Sequence, residues 1–178
     1  MFVNIVLLLI IGLILNIIAS VSIRKRAELL LLNPYTPLPD LFHIHFPTIP
    51  ILFPDYFLFC CICITISNYP NLNDIEKNLL CLGICIIIRS FSVFLTIMPT
   101  CMPKPNNMSN VYKDIFLSTH DLMFSGHSLF FITIGNMLNN NFIMYFGPFL
   151  LIIARQHYTI DVCVSGLVYF LVYSKISS

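Results

Sequence analysis

Two short stretches of the sequence combine residue types that can carry out nucleophilic and acid–base chemistry. In the later stretch, His157 and Asp161 are four positions apart, so in a helix they share one face and the carboxylate can accept the imidazole proton. A histidine held in this way has one fixed tautomer, and its other ring nitrogen becomes nucleophilic. The spacing therefore predicts a histidine nucleophile that Asp161 orients.

The earlier stretch, Ser125-Gly126-His127, lies near the predicted start of a helix. Backbone N–H groups at a helix start have no partner within the helix, and together with the helix dipole they favour a phosphate. Gly126 has no Cβ, so the backbone there can approach a ligand closely. This motif predicts a phosphate site at Ser125 and Gly126, with His127 as the group that gives a proton to a leaving oxygen.

Arg89 is a charged residue in the middle of an apolar stretch, where a cation costs roughly 2.5 to 3.5 kcal/mol on insertion scales. Two readings follow: Arg89 binds a lipid phosphate or a carboxylate of the site, or it makes a structural pair with another helix. Lys104 and Arg155 are read as ordinary loop cations that would lie near the same site.

The histidines of the chain are clustered in or beside alternate loops, which would share one membrane face. Histidine exchanges a proton near neutral pH without special tuning, so this clustering predicts a site. The competing reading is that the rings sit at the level of the lipid headgroups with no chemical role. The five residues are His43, His45, His120, His127 and His157.

The composition decides which solvent surrounds these residues. Of 178 residues, 58% are hydrophobic and only 10% are charged, whereas soluble proteins carry about 25% charged residues. The solvent must therefore be largely lipid. A net charge of +1, scattered along the chain, gives no field for nucleic acid, which we exclude as a partner.

The apolar stretches predict an all-α, polytopic membrane protein in which six helices form one catalytic domain over residues 1–178. Six helices of about 20 residues use about 120 residues and leave only short loops. A cleaved signal peptide is an alternative for the first stretch, but that stretch is long and has no basic leader. The expected spans are approximately residues 2–23, 51–69, 79–98, 122–138, 142–155 and 159–173.

Six of the seven cysteines lie inside the apolar stretches, where thiols behave as small hydrophobic groups. We therefore expect no disulfide framework, and neither a metal nor another cofactor is expected.

Four segments, in this order, resemble motifs of the sphingomyelin synthases and their relatives in the wider lipid phosphate phosphatase superfamily. Pro37-Leu38-Pro39-Asp40 is similar to the proline-rich first motif, and Arg89 through Pro99 to the second. Asp121-Leu122-Met123-Phe124-Ser125-Gly126-His127-Ser128 resembles the third motif, and His157-Tyr158-Thr159-Ile160-Asp161-Val162 resembles the fourth. The chain departs from the third motif at Thr119-His120, where the family has Cys-Gly.

The resemblance implies a two-step transfer between membrane lipids that needs no metal. His157 would attack the phosphorus of a phospholipid while His127 protonates the departing diacylglycerol. His127 would then remove the proton of a ceramide hydroxyl, which takes the headgroup and gives sphingomyelin or its ethanolamine analogue. The resemblance also implies that Asp121 supports the histidines, and Arg89 is a candidate to stabilise the phosphate.

Other functions remain open at this point. A lipid phosphate phosphatase would use water as the acceptor on the same histidine, and a structural or accessory membrane protein would keep the motifs without the activity. A membrane metal enzyme would use four of the histidines as ligands. Those four residues are His43, His45, His120 and His127.

The membrane orientation rests on two conflicting signals. The resemblance implies a Golgi, other endomembrane or plasma-membrane protein whose site faces the lumen or the exterior. The positive-inside rule predicts a cytoplasmic site, because most of the lysines and arginines lie on the histidine side. We take the orientation of the family as the expectation.

Overall fold

The computed structural model describes residues 2–29, 38–68, 71–96 and 124–178, with only the backbone described at residues 2, 24 and 27–29. All regular structure in these ranges is α-helical. The helices are α1 (Phe2–Leu29), α2 (Leu41–His45), α3 (Phe53–Asn68), α4 (Leu72–Leu95), α5 (Gly126–Met137), α6 (Asn141–Ile153) and α7 (Thr159–Ser177).

The described helices confirm the all-α class, and their length and composition suggest that the chain associates with a membrane. Three segments are long and apolar enough to cross a bilayer: Val3–Ile23, Leu72–Leu95 and Thr159–Ser177. The helices α3 and α6 are also apolar but shorter, with 16 and 13 residues. Along α1 most of the large apolar side chains are exposed, as expected for a helix whose solvent is lipid.

The short helix α5 lies where the other helices meet, since it packs against α3, α4, α6 and α7. Its side chains Leu129, Phe131 and Ile132 are buried, and they belong to two apolar clusters that join these helices. The helix α1 packs mainly along α4. Because α5 begins beside Ser125, the packing of the bundle fixes the position of the Ser-Gly-His motif.

The structure differs from the predicted boundaries at several places. The helix α1 continues to Leu29 instead of ending at residue 23, and α5 begins at Gly126 instead of at residue 122. Residues 71–78, expected to be a polar link, are the cap and first turns of α4, because the Asn71 side chain accepts the N–H of Asn73 and Asp74 suits the first turn. The helix α2 lies within the expected first loop. Asp40 caps α2 by accepting the N–H groups of Phe42 and His43.

Two glycines allow α5 and α6 to pack closely. A Cβ on Gly135 would lie 2.6 Å from the backbone nitrogen of Met144, and a Cβ on Gly147 would overlap the ring of Phe131. Small residues at helix contacts are typical of membrane bundles. We expect Gly135→Ala to lower the free energy of unfolding by about 1–3 kcal/mol through overpacking, measured by thermal unfolding in detergent micelles.

Gly166→Ala is the matched control for this substitution. A Cβ there would approach only the Cδ1 of Ile132, at 3.8 Å, which is an ordinary contact. The control protein should unfold at nearly the temperature of the unsubstituted chain. Equal unfolding temperatures for Gly135→Ala and Gly166→Ala would contradict the close packing of α5 on α6.

Candidate active site

The first part of the candidate site is the turn between α6 and α7, which carries His157. The helix α6 ends at Ile153, and Arg155 has a φ of 55°, in the left-handed region that commonly follows a helix. The N–H groups of Gln156 and His157 then donate back to the carbonyl of Leu151. The turn therefore holds His157 immediately before α7, with only 6% of the residue exposed.

Asp161 lies in the first turn of α7 and is fully buried. Its Oδ2 is 3.5 Å from the Nδ1 of His157 and accepts the backbone N–H of Tyr158 at 3.0 Å. The contact with His157 is an ion-pair distance rather than a well-formed hydrogen bond, and such contacts often shorten only when substrate is bound. Since Asp161 faces Nδ1, the ring presents Nε2 as its other nitrogen.

The second part of the candidate site is the start of α5. The Ser125 side chain caps the helix by accepting the N–H of Ser128 at 3.1 Å. The hydroxyl of Ser165 on α7 lies within hydrogen-bond distance of the carbonyl oxygens of both Ser125 and Asp161. This contact joins the first turns of α5 and α7, so the two histidine-bearing motifs are held in a fixed relation.

His127 and His157 lie side by side in the folded chain. Their ring centroids are 6.4 Å apart, and the planes of the rings are inclined by 53°. The His127 side chain is 37% exposed, whereas His157 is buried. One phosphorus atom can therefore be approached by a buried ring on one side and a more open ring on the other.

Arg89 is buried in α4, and its guanidinium lies against the start of α5. Its Nε donates to the carbonyl of Phe124 at 2.7 Å, and its Nη1 donates to the Asn16 side chain on α1. A Cβ on Gly126 would lie 3.3 Å from the Nε of Arg89, a tight contact that would require the guanidinium to shift by a few tenths of an ångström. These contacts fit the structural reading of Arg89, which joins α4 to α1 and to the start of α5, and its binding of a phosphate stays a prediction.

Two further residues, Asp55 and Gln156, belong to the candidate site, although no local pattern of the sequence indicates them. Asp55, in the first turn of α3, has its Oδ1 3.4 Å from the Nε2 of His127. Gln156 Nε2 donates to the carbonyl of Ile51 and lies 3.4 Å from the Oδ2 of Asp55. Both neighbours of this nitrogen are acceptors, which supports the orientation of the amide. A carboxylate in the first turn of a helix is ordinarily explained by the helix dipole. The neighbouring sequence therefore does not indicate that Asp55 also contacts His127.

The segment around α2 covers the start of α7. Asp40 accepts the backbone N–H of Thr159 at 2.7 Å and its hydroxyl at 2.9 Å. His43 Nε2 lies 3.2 Å from the carbonyl oxygen of His157, which can only accept, so this nitrogen must carry the proton. The Nη2 of Arg155 donates to the carbonyl of His43. These contacts fasten α2 onto the turn that carries His157.

Burial acts to raise the pKa of Asp40, but the hydrogen bonds from Thr159, the nearby His43 and the N–H of Phe42 together hold that pKa below its ordinary value. A carboxylate with a lowered pKa stabilises the folded state at neutral pH, and this contribution is lost as the pH falls through the lowered pKa. The contribution of Asp40 should therefore be at full strength near pH 7, begin to weaken as the pH falls below the ordinary carboxyl value of about 4, and be lost once the pH has passed through the lowered pKa.

We expect Asp40→Ala to lower the free energy of unfolding by about 1–2 kcal/mol, because α2 loses its cap and Thr159 loses its acceptor. Turnover should fall by roughly tenfold as the turn that carries His157 loosens. Thermal unfolding and turnover at pH 7 measure the two effects.

Asp40→Asn separates the cap from the contact with Thr159, since Asn caps a helix as well as Asp but has one acceptor oxygen fewer. Its losses should be smaller than those of Asp40→Ala. Unchanged turnover and unfolding in Asp40→Ala would show that α2 does not support the site.

The remaining sequence-predicted residues have different outcomes. Asp121, His120 and Lys104 lie outside the described residues. His45 is exposed and its Nδ1 lies 2.8 Å from the carbonyl oxygen of Leu41, away from the histidine pair. Within the described ranges, no three or more His, Cys, Asp or Glu side chains are arranged to hold a metal ion.

The cysteines of the described helices are free thiols. Cys61, Cys81 and Cys85 are buried in the apolar clusters, and Cys60, Cys63 and Cys163 are exposed on apolar helices. Burial as small hydrophobic groups accounts for the first three.

Comparison of the sequence with models of known protein families gives no match, and comparison with curated proteins gives none either.

Proposed function

We propose that the chain is a phosphotransferase of membrane lipids, similar in its chemistry to the sphingomyelin synthases. It moves a phosphocholine or phosphoethanolamine headgroup from a glycerophospholipid to ceramide and releases diacylglycerol. The observation that carries the proposal is the pair of imidazoles with ring centroids 6.4 Å apart, one of them backed by a buried carboxylate at 3.5 Å.

The first half of the reaction uses the buried histidine as nucleophile. The Nε2 of His157 forms a bond to phosphorus as the bond from phosphorus to the glycerol oxygen breaks, and His127 gives its proton to that oxygen. Asp161 stabilises the positive charge that develops on the attacking ring. The product is a headgroup phosphate held on His157 and free diacylglycerol.

The second half reverses the roles of the groups around phosphorus. His127, now neutral, removes the proton of the ceramide hydroxyl, whose oxygen forms a bond to phosphorus while the bond to His157 breaks. The guanidinium of Arg89 and the N–H groups at the start of α5 are the positive groups near the phosphate oxygens. Positioned cations and N–H donors are sufficient for phosphoryl transfer of this kind.

The proposal includes a six-span arrangement formed by α1, α3, α4, α5, α6 and α7. The 13 residues of α6 extend over about 20 Å, less than a hydrocarbon core of about 30 Å. The short helix α5 is largely buried among neighbouring helices, where irregular backbone is tolerated, whereas α6 has exposed side chains, Phe142 and Tyr145, on its outer side. In this arrangement the turn before α7 and the start of α5 lie at the same membrane face.

The site would face the lumen of an endomembrane compartment or the cell exterior. Asn107-Met108-Ser109, which lies outside the described residues, has the sequence pattern of a glycosylation acceptor, and in the proposed arrangement it would share the membrane face of the site. Its modification on expression in a eukaryotic cell would support a lumenal site.

Product analysis tests the activity. The purified chain is incubated with a headgroup-labelled phospholipid and labelled ceramide, and the lipids are separated. The proposal expects labelled sphingomyelin, or its ethanolamine analogue, together with diacylglycerol. Free headgroup phosphate without a ceramide product would instead indicate hydrolysis at the same histidines. If the chain turns over no phospholipid, the proposed function is wrong.

A further inference from the structure

A carboxylate on α3 lies beside the histidine that is not backed by Asp161. Asp55 Oδ1 is 3.4 Å from the Nε2 of His127, and the side chains of both residues are about one-third exposed. The two residues are 72 positions apart in the sequence, so no local spacing produces this contact. Each histidine of the pair therefore has a carboxylate neighbour of its own, Asp55 for His127 and Asp161 for His157.

Asp55 is also tied to the segment that carries the other histidine. Its Oδ2 lies 3.4 Å from the Nε2 of Gln156, the residue immediately before His157. Gln156 is 3% exposed and donates as well to the carbonyl of Ile51, which directly precedes α3. Gln156 thus holds the start of α3 close to the turn that carries His157. Asp55, at this start of α3, contacts His127.

We propose that Asp55 is a positioning residue that orients His127 and favours its protonated form. This inference rests on the proposed function, in which His127 must begin the cycle as an imidazolium. The proton of His127 goes to the glycerol oxygen as the bond from phosphorus to that oxygen breaks. A carboxylate at ion-pair distance stabilises the imidazolium and so keeps His127 ready for this step at neutral pH.

Other charged and titratable groups also act on His127, so the effect of Asp55 must be separated from theirs. The guanidinium of Arg89 lies against the neighbouring Gly126 and opposes protonation, whereas the buried Asp161 favours it. On the described elements that contact α5 and on the turn before α7, the charged or titratable groups near His127 are Asp55 on α3, Arg89 on α4, His157 on the turn and Asp161 on α7. His43 on α2 and Arg155 lie one step further away, since His43 contacts the carbonyl of His157 and Arg155 contacts the carbonyl of His43.

The test compares Asp55→Asn with Asp74→Asn in the full chain. Asp74 is exposed and lies in the first turn of α4, so its substitution removes the same charge from the same position of a helix. The alkaline limb of the pH–rate profile reports the group that must be protonated. We expect Asp55→Asn to lower turnover about 10- to 100-fold and to move this limb to lower pH by roughly half a unit to one unit. Asp74→Asn should change neither quantity.

Asp55→Glu distinguishes a role of the charge from a role in packing. It keeps the carboxylate, so the alkaline limb should return toward the position of the unsubstituted chain even if turnover recovers only in part. A loss of turnover in Asp55→Asn with an unmoved limb and a lower unfolding temperature would overturn the inference, because it would show a purely structural role. Turnover within twofold of the unsubstituted chain and an unmoved limb would also overturn it.

A second measurement does not depend on turnover and so separates this inference from the proposed function. The ring signals of isotopically labelled histidines are titrated by NMR in detergent micelles, and His127→Gln identifies the signal of His127. In Asp55→Asn the titration midpoint of His127 should fall by roughly half a unit to one unit. An unchanged midpoint for His127 overturns the inference. A shifted midpoint in a chain that turns over no phospholipid keeps the inference about His127 and rejects the proposed function.

Discussion

The variant His157→Ala is expected to transfer headgroups at least about 10³-fold more slowly than the unsubstituted chain. The reason is that the alanine side chain cannot form the bond to phosphorus that divides the reaction into two steps. Turnover is measured with headgroup-labelled phospholipid and ceramide. Thermal unfolding of the variant, measured in the same micelles, should change much less than turnover, since the carbonyl that accepts from His43 is part of the backbone and remains.

His45→Ala is the matched control for the nucleophile. His45 is a histidine on the same membrane face in the proposed arrangement, but it is exposed and its Nδ1 lies beside the carbonyl of Leu41 in its own helix. This variant should keep the turnover of the unsubstituted chain within about twofold. Equal turnover by His157→Ala and the unsubstituted chain would exclude His157 as the nucleophile.

The second large effect is expected for Asp161→Asn, which should lower turnover by about 10²- to 10⁴-fold. The amide can still accept the N–H of Tyr158, so the cap of α7 is largely retained. It cannot stabilise the charge on the His157 ring, and it can donate to Nδ1 and so stabilise the wrong tautomer. Turnover and thermal unfolding together show whether the loss is chemical or structural.

The double variant His157→Ala/Asp161→Asn tests whether the two residues act as a unit. If Asp161 acts only through His157, the double variant should turn over no more slowly than His157→Ala alone, because effects of groups that act together are not additive. A multiplied loss in the double variant would mean that the Asp161 side chain has a role apart from its contact with His157.

The grouping of His127 with His157 followed from the sequence because each lies at the start of a helix. In the proposed six-span arrangement, alternate helix starts lie at one membrane face, and this expected alternation predicted that the two histidines would be neighbours. The spacing of His157 and Asp161 is a local property of one helix turn, and the structure has the two side chains 3.5 Å apart. Helical spacing and the expected alternation of membrane faces were therefore sufficient to predict that His127, His157 and Asp161 lie close together.

The contacts of Asp40 and Asp55 could not be predicted from helical spacing or from the alternation of helices. Asp40 meets Thr159 across 119 positions of sequence, and Asp55 meets His127 through the packing of α3 on α5. The helix α2 has five residues, too few for a hydrophobic period, so its segment was read as a loop. The predicted start of α4 is too late, because the asparagines and charged residues of its first turns are also typical of a polar loop. Only the capping contact of Asn71 shows that they belong to the helix.

The central claim is that His157 holds the headgroup phosphate between two lipids. Donor phospholipid and isotopically labelled diacylglycerol are incubated with the chain in the absence of any acceptor, and label in the phospholipid is measured over time. A covalent intermediate on His157 predicts that label enters the phospholipid with the unsubstituted chain and that His157→Ala abolishes this exchange. Exchange that persists in His157→Ala, or its absence in a chain that transfers headgroups to ceramide, would contradict the claim.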